Sequence, residues 1–203
     1  MSAPPPDPPP PTVVEHRNDD GRLLATATLN QAGELDGPFV AYDDDGRPQM
    51  RLSYRAGQPH GPATVYRNGR PEVYLGFAAG RLDGEMRTLD ATGRVVSIVR
   101  YAAGRRHGLM ECRSAEGRPV LTASYRDDRL NGTWTEFRPD GSIRKRSQYR
   151  NDLLEGESVD FNPDGTPAGR TVYAAGKPVE EETPKAAATE APKPEAPWWR
   201  LGW

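Results

Sequence analysis

The sequence predicts an all-β protein. It reads as an elongated open antiparallel β-meander of hairpin repeats about 24 residues long, with disordered tails. Three observations carry this. Glycines recur in step at Gly37, Gly61, Gly84, Gly108, Gly132 and Gly156, spaced 24, 23, 24, 24 and 24 residues apart. A second series, Gly21, Gly46, Gly69, Gly93, Gly117, Gly141 and Gly165, keeps the same beat. So does an aromatic or Leu series at Leu29, Tyr54, Phe77, Tyr101, Tyr125, Tyr149 and Tyr173.

Composition agrees with a thin architecture. Only 35% of the 203 residues are hydrophobic, where a compact domain has about 45–50%. A formal charge of −2 gives no general attraction for nucleic acid. The single cysteine, Cys112, rules out an internal disulfide framework and suits a reducing compartment. There is no run of 18 apolar residues to form a spanning helix. The start MSAPPPDPPPP lacks the basic and apolar regions of a secretory signal, so the expected location is cytoplasmic.

In chain order, residues 1–12 read as a Pro-rich disordered arm, since proline at this density favours extended polyproline II. Residues 13–179 carry the repeats. The stretch LNGTWTEFRPDGSIRKRSQYRNDL (130–153) shows one unit: a short strand, an Asp-Gly turn, a second strand and a second turn. The leading segment RLLATATLN adds a strand, giving about thirteen in all. Proline opens the second strand at Pro48, Pro71, Pro119 and Pro167, where a strand tolerates it. Residues 180–197 read as a disordered Pro/Ala/Glu/Lys linker. Residues 198–203 form a Trp-rich terminal motif, WWRLGW.

Alternation with period 2 assigns faces. Met50, Leu52 and Tyr54, Val73, Leu75 and Phe77, and Leu121, Ala123 and Tyr125 are expected on the packed face, with Leu35, Leu82, Leu130 and Leu154 pinning the turns against it. The other face carries Arg51, Arg146 and a middle of Tyr74, Val96, Ile98 and Val120. Phe39, Met86, Met110 and Trp134 are expected to join it. That would make an apolar strip flanked by arginines, either a binding surface or a strip covered by sheet curvature or a second copy. Tyr74, Met86, Ile98, Met110 and Trp134 are the candidate anchors, and Arg51, Arg100 and Arg146 the polar rim. Trp198, Trp199, Arg200, Leu201 and Trp203 form a second candidate, able to dock on a partner, on the protein's own strip or on a lipid interface.

The stretches LNGTWTEFRPDG, PHGPATVYRNG, SYRAGQPHG, RYAAGRRHG and VYAAGK resemble the MORN repeat. They are closer to its bacterial variant, a toxin–antitoxin-system antitoxin-like family, over residues 21–177. The spacing here is Tyr-x-x-Gly where the eukaryotic form has Tyr-x-Gly, and Asp128 and Asp152 replace that glycine in two units. The resemblance implies an elongated antiparallel β-meander that binds a protein, as an immunity partner of a toxin or as a scaffold.

Catalytic, cofactor and metal motifs are not expected. His60 and His107 hold the same turn position two units apart, roughly 19 Å at four strand spacings of ~4.8 Å, too far to share a metal. With Asp36, Asp83, Asn131 and Glu155 they make a polar turn column. Cys112 has no motif around it, and Glu111 and Glu116 do not favour a thiolate. The run Arg144, Lys145 and Arg146 reads as a solvated strand end rather than a nucleic-acid site. The expected function is therefore non-enzymatic protein binding through one sheet face: toxin neutralisation, or an adaptor tethering a partner or membrane surface through WWRLGW.

Overall fold

The structure is a computed structural model that describes residues 10–182. The expectations for the arm before residue 10, for the linker from residue 183 and for the terminal Trp motif fall outside the described residues. The strands are β1 (Thr12–Arg17), β2 (Leu23–Leu29), β3 (Leu35–Tyr42), β4 (Pro48–Arg55), β5 (Gln58–Pro59), β6 (Gly61–Arg67), β7 (Arg70–Ala78), β8 (Arg81–Leu82) and β9 (Gly84–Leu89). They continue as β10 (Val95–Ala102), β11 (Arg105–Arg106), β12 (Gly108–Arg113), β13 (Pro119–Arg126), β14 (Arg129–Phe137), β15 (Ile143–Arg150), β16 (Leu153–Phe161), β17 (Pro167–Ala174) and β18 (Lys177–Glu182).

All pairings are antiparallel and join neighbours along the chain, from β1–β2 to β17–β18. The result is a single open meander. Two full strands exceed the expected number. β1 is one: Thr12, Val13 and Val14 precede Asn18-Asp19-Asp20-Gly21 on the same hairpin plan. β18 is the other, and it runs through Glu182 into the segment read as linker because it pairs with β17. The two-residue strands β5, β8 and β11 are the first steps of β6, β9 and β12; in β14 and β16 the same steps are continuous.

Two kinds of turn form the two long edges. At the within-unit edge, Gly46 N–H donates to the Asp43 carbonyl (2.9 Å) and Asp43 N–H to the Arg47 carbonyl (2.8 Å). Asp43 Oδ1 accepts from the amides of Asp45 and Arg47, the local bonding that favours Asp and Asn here. A one-residue bulge follows in the second strand: Tyr42 pairs with Pro48, but Ala41 with Met50. The other units repeat it.

At the between-unit edge the turns are two residues long: Ala56–Gly57, Ala79–Gly80, Ala103–Gly104, Asp127–Asp128, Asn151–Asp152 and Ala175–Gly176. Both residues have φ between 47° and 86°, the primed turn that suits strand twist. These turns stack. Gly104 N–H donates to the Leu82 carbonyl, Asp128 N–H to Arg106 and Asp152 N–H to Leu130 (2.7–3.0 Å). Asp at the glycine position then has a physical reason. Asp128 Oδ1 accepts from Arg106 N–H (3.0 Å) and Asp152 Oδ1 from Leu130 N–H (2.7 Å). That bond offsets part of the left-handed strain.

Across the sheet the glycine and aromatic series become one row. Gly37 pairs with Tyr54, Gly61 with Phe77, Gly84 with Tyr101, Gly108 with Tyr125, Gly132 with Tyr149 and Gly156 with Tyr173. On its other side each aromatic meets the second residue after the between-unit turn: Pro59, Leu82, Arg106, Leu130, Leu154 or Pro178. The next row on this aromatic face is the core, Met110–Ala123–Trp134–Ser147–Ser158, in which small residues stand beside Met110 and Trp134. Leu121 and Ala123 are 1% and 0% exposed, so in one layer their neighbours' side chains must close over them.

Candidate interaction surfaces

The bulges decide which side chains share a face. Counted from the turn without a bulge, Trp134 would stand opposite Arg146. The bulge between Glu136 and Phe137 shifts the register by one, and Trp134 stands opposite Ser147, on the aromatic face. Met86 is likewise opposite Val99, Met110 opposite Ala123 and Phe39 opposite Leu52. The expectation that these residues join Tyr74 and Ile98 in one strip is corrected, because a one-residue slip moves a whole strand to the other face. Val96 and Val120 are the bulge residues skipped by pairing.

The eight candidate side chains thus divide. Met86, Met110 and Trp134 lie half-buried on the aromatic face. The Trp134 ring sits 6.3 Å from Tyr149, and its Nε1 donates to Glu136 Oε1 (3.2 Å). With Phe39 against Tyr54 (centroids 5.7 Å apart) and Met50, 37% exposed, they form a broad band of large apolar groups. No second layer covers it among the described residues. Burial pushes the Tyr101, Tyr125 and Tyr149 hydroxyls above the ordinary tyrosine range, so these rings are neutral. The band is not apolar throughout. From Leu121 the row runs Glu136, Lys145, Asp160, and the Ser147 and Ser158 hydroxyls bond at 2.7 Å while buried.

Tyr74, Ile98, Arg51, Arg100 and Arg146 occupy the opposite face. Arg87 stands between Tyr74 and Ile98, so no continuous apolar strip exists there. The arginines are held within the face. Arg51 lies over Tyr66 and Arg146 over Phe161, each 5.7 Å from the ring centroid. Arg100 and Arg87 bracket Glu85 at 2.8 and 2.6 Å. The Arg87 hydrogen bond, with Arg100, holds the Glu85 carboxyl below its usual range despite some desolvation.

The polar turn column stitches unit to unit. Asp83 Oδ2 accepts from Ala103 N–H, Asn131 Nδ2 donates to Asn151 and Glu155 Oε2 accepts from Ala175 N–H. His107 Nδ1 lies 3.5 Å from Asp127. Among the described residues no group of three or more His, Cys, Asp and Glu side chains could hold a metal ion. Cys112 is buried, and burial raises its thiol pKa.

The short Arg67-Asn68-Gly69-Arg70 turn leaves a notch in the within-unit edge. It is a groove of about 640 Å³ lined by Arg67, Arg70, Pro71, Glu72, Leu89 and Asp90. Sequence reading missed it, although the 23-residue step from Gly46 to Gly69 was its signal.

No protein-family model matches the chain, and no curated protein matches it. Among solved structures it is similar to S. aureus TarM, a mutant in complex with Fondaparinux, alpha-GlcNAc-glycerol and UDP, at 8% identity and a TM-score of 0.22. A second TarM structure gives 9% and 0.22. In both, the match covers 70% of this chain and 21% of the other. Likeness at this level carries no argument about fold or activity. No helix among the described residues is long and apolar enough to cross a membrane.

Proposed function

We propose that this chain is a non-catalytic protein-binding repeat module that holds its partner against the aromatic face. The supporting observation is the uncovered band of Phe39, Met50, Met86, Met110 and Trp134 on a sheet whose opposite face is laced with ion pairs. A contiguous apolar surface of this kind marks an interaction site, and Trp and Met are favoured anchors. Toxin neutralisation, the role implied by the MORN-variant resemblance, is the specific form of this reading. Tethering through WWRLGW is the second. The lone buried Cys112 fits a cytoplasmic setting.

The test is affinity capture from native cell extract with three proteins: the intact chain, a chain ending at Pro197, and a chain carrying Met110→Glu and Trp134→Glu. One partner held by the first two and lost by the third supports the aromatic face. If that partner is a toxic enzyme inhibited on binding, the role is immunity. A partner lost only on truncation makes the protein a tethering adaptor. A partner retained by all three overturns the aromatic-face assignment.

A further inference from the structure

The two turn edges treat their arginines differently. At the within-unit edge each is engaged: Arg22 with Asp44 and Arg67 with Glu72, while Arg70, Arg94 and Arg118 donate to backbone carbonyls of the next turn. At the between-unit edge Arg106 and Arg150 meet Asp128 and Glu155, but Arg81, Arg105, Arg126 and Arg129 are exposed. None of these four side chains has a hydrogen bond or ion pair among the described residues, although Arg105 lies near enough to Asp128 to help lower its carboxyl pKa. The turn carboxylates are engaged elsewhere: Asp83 on Ala103 N–H, Asp128 on the Arg106 N–H and guanidinium, Asp152 on Leu130 N–H, and Asp127 3.5 Å from His107 Nδ1. Arg126 and Arg129 even stand directly opposite each other across their turn, a like-charge pair that costs stability. The matching Arg67–Arg70 pair on the other edge is relieved by its own partners.

Arg81, Arg105 and Arg129 occupy equivalent positions in successive units. They are two strand spacings apart, about 10 Å. The Arg81 stem is seated on the next turn, where a Cβ on Gly104 would lie 3.6 Å from Arg81 Cβ. The stem is thus positioned while the guanidinium stays free. A break in a local stability rule without compensation inside the fold points to a task outside it.

We propose that this edge is a docking strip for an extended acidic polypeptide segment. Arginine forks bind carboxylates in bidentate pairs. Every third residue of an extended chain advances about 10 Å, which matches the ladder. Nucleic acid fits less well: net charge is −2, and a nucleic-acid-binding domain is ordinarily basic overall. This strip is separate from the aromatic face, so the two assignments stand or fall independently.

The test uses the full chain and a fluorescein-labelled twelve-residue oligoglutamate, followed by anisotropy in low salt. The triple variant R81Q/R105Q/R129Q is compared with a charge-matched triple on the opposite face, R51Q/R146Q/R170Q. The expected result is saturable binding, weakened at least tenfold by the edge triple and no more than twofold by the control. Urea midpoints that are not lowered in either variant ensure that unfolding is not the cause. Equal loss in both triples, or no loss in the edge triple, overturns the strip. Tighter edge-dependent binding of anionic phosphatidylserine vesicles or of a single-stranded oligonucleotide overturns the acidic-peptide assignment.

Discussion

On the aromatic face, large side chains stand beside small ones, glycine against Tyr or Phe and Ala123 between Met110 and Trp134, and a single layer buries Leu121 and Ala123 almost completely. On the opposite face the same strands alternate charge: Glu85 with Arg87 and Arg100, Glu111 with Arg113, Glu157 with Arg170. Both faces belong to one sheet with one set of ladders. The difference between them is therefore entirely in side chains, and it teaches that stability resides on one face while the other contributes solubility and order. Substitutions on each face test that contrast.

The largest effect is expected from Leu121→Ala. It removes a side chain 1% exposed and should cost about 2–5 kcal/mol, read from equilibrium urea unfolding. A loss below ~1 kcal/mol would show that the aromatic face is not the core. Next comes Gly132→Ala. Gly132 has φ +119, and a Cβ there would stand 2.9 Å from Ser124 Cβ, whereas Gly141, φ +89, faces open space. The former should cost about 2 kcal/mol or more and the latter about 1 kcal/mol; equal costs would remove the packing argument.

Ser147→Ala leaves the buried Ser158 hydroxyl without its partner and should cost about 1–2 kcal/mol, more than the double change Ser147→Ala with Ser158→Ala. A double-mutant cycle reads the difference. On the opposite face, Arg87→Ala should cost less than about 1 kcal/mol, because both partners are partly exposed and screened.

The pH dependence follows from the same groups. Glu85 is held below its ordinary value of 4.5 chiefly by Arg87. Asp90, Asp140 and Asp164 are held below 3.8 chiefly by the hydroxyls of Thr92, Ser142 and Thr166. A depressed folded pKa stabilises above the unfolded value, and that stability is lost as pH falls through the folded one. The urea midpoint should hold from pH 7 to about pH 5 and drop below about pH 4; a midpoint unchanged at pH 3 would contradict these bonds. The smallest effect is a gain. Arg126→Gln relieves the cross-turn repulsion with Arg129 and should stabilise by a few tenths of a kcal/mol, checked by the same unfolding.

Much of this was legible in residue spacing. The period, both turn edges and the packed side of each second strand follow from glycines, Asp-Gly pairs and the Tyr series. Leu52, Leu121 and Ala123 are buried where alternation placed them. The first strands were not legible. Trp134, Met110 and Met86 needed a register that depends on one bulged residue per hairpin, and a bulge leaves no mark in a pattern of alternating hydrophobicity. The free arginines were hidden for another reason. Arg94 and Arg105 look alike in sequence, and only folding shows that Arg94 meets the Ala115 carbonyl while Arg105 has no such bond.

The repeat, the strand-and-turn plan and the positions where positive φ is required are written in residue spacing, because they depend on neighbours along the chain. The tertiary structure decided which side chains share a face and which charges are spent inside the fold. The first depends on hairpin pairings such as Trp134 with Ser147 and Met110 with Ala123, where a shift of one residue reverses the answer; the second depends on bonds from one unit to the next, such as Arg94 to the Ala115 carbonyl.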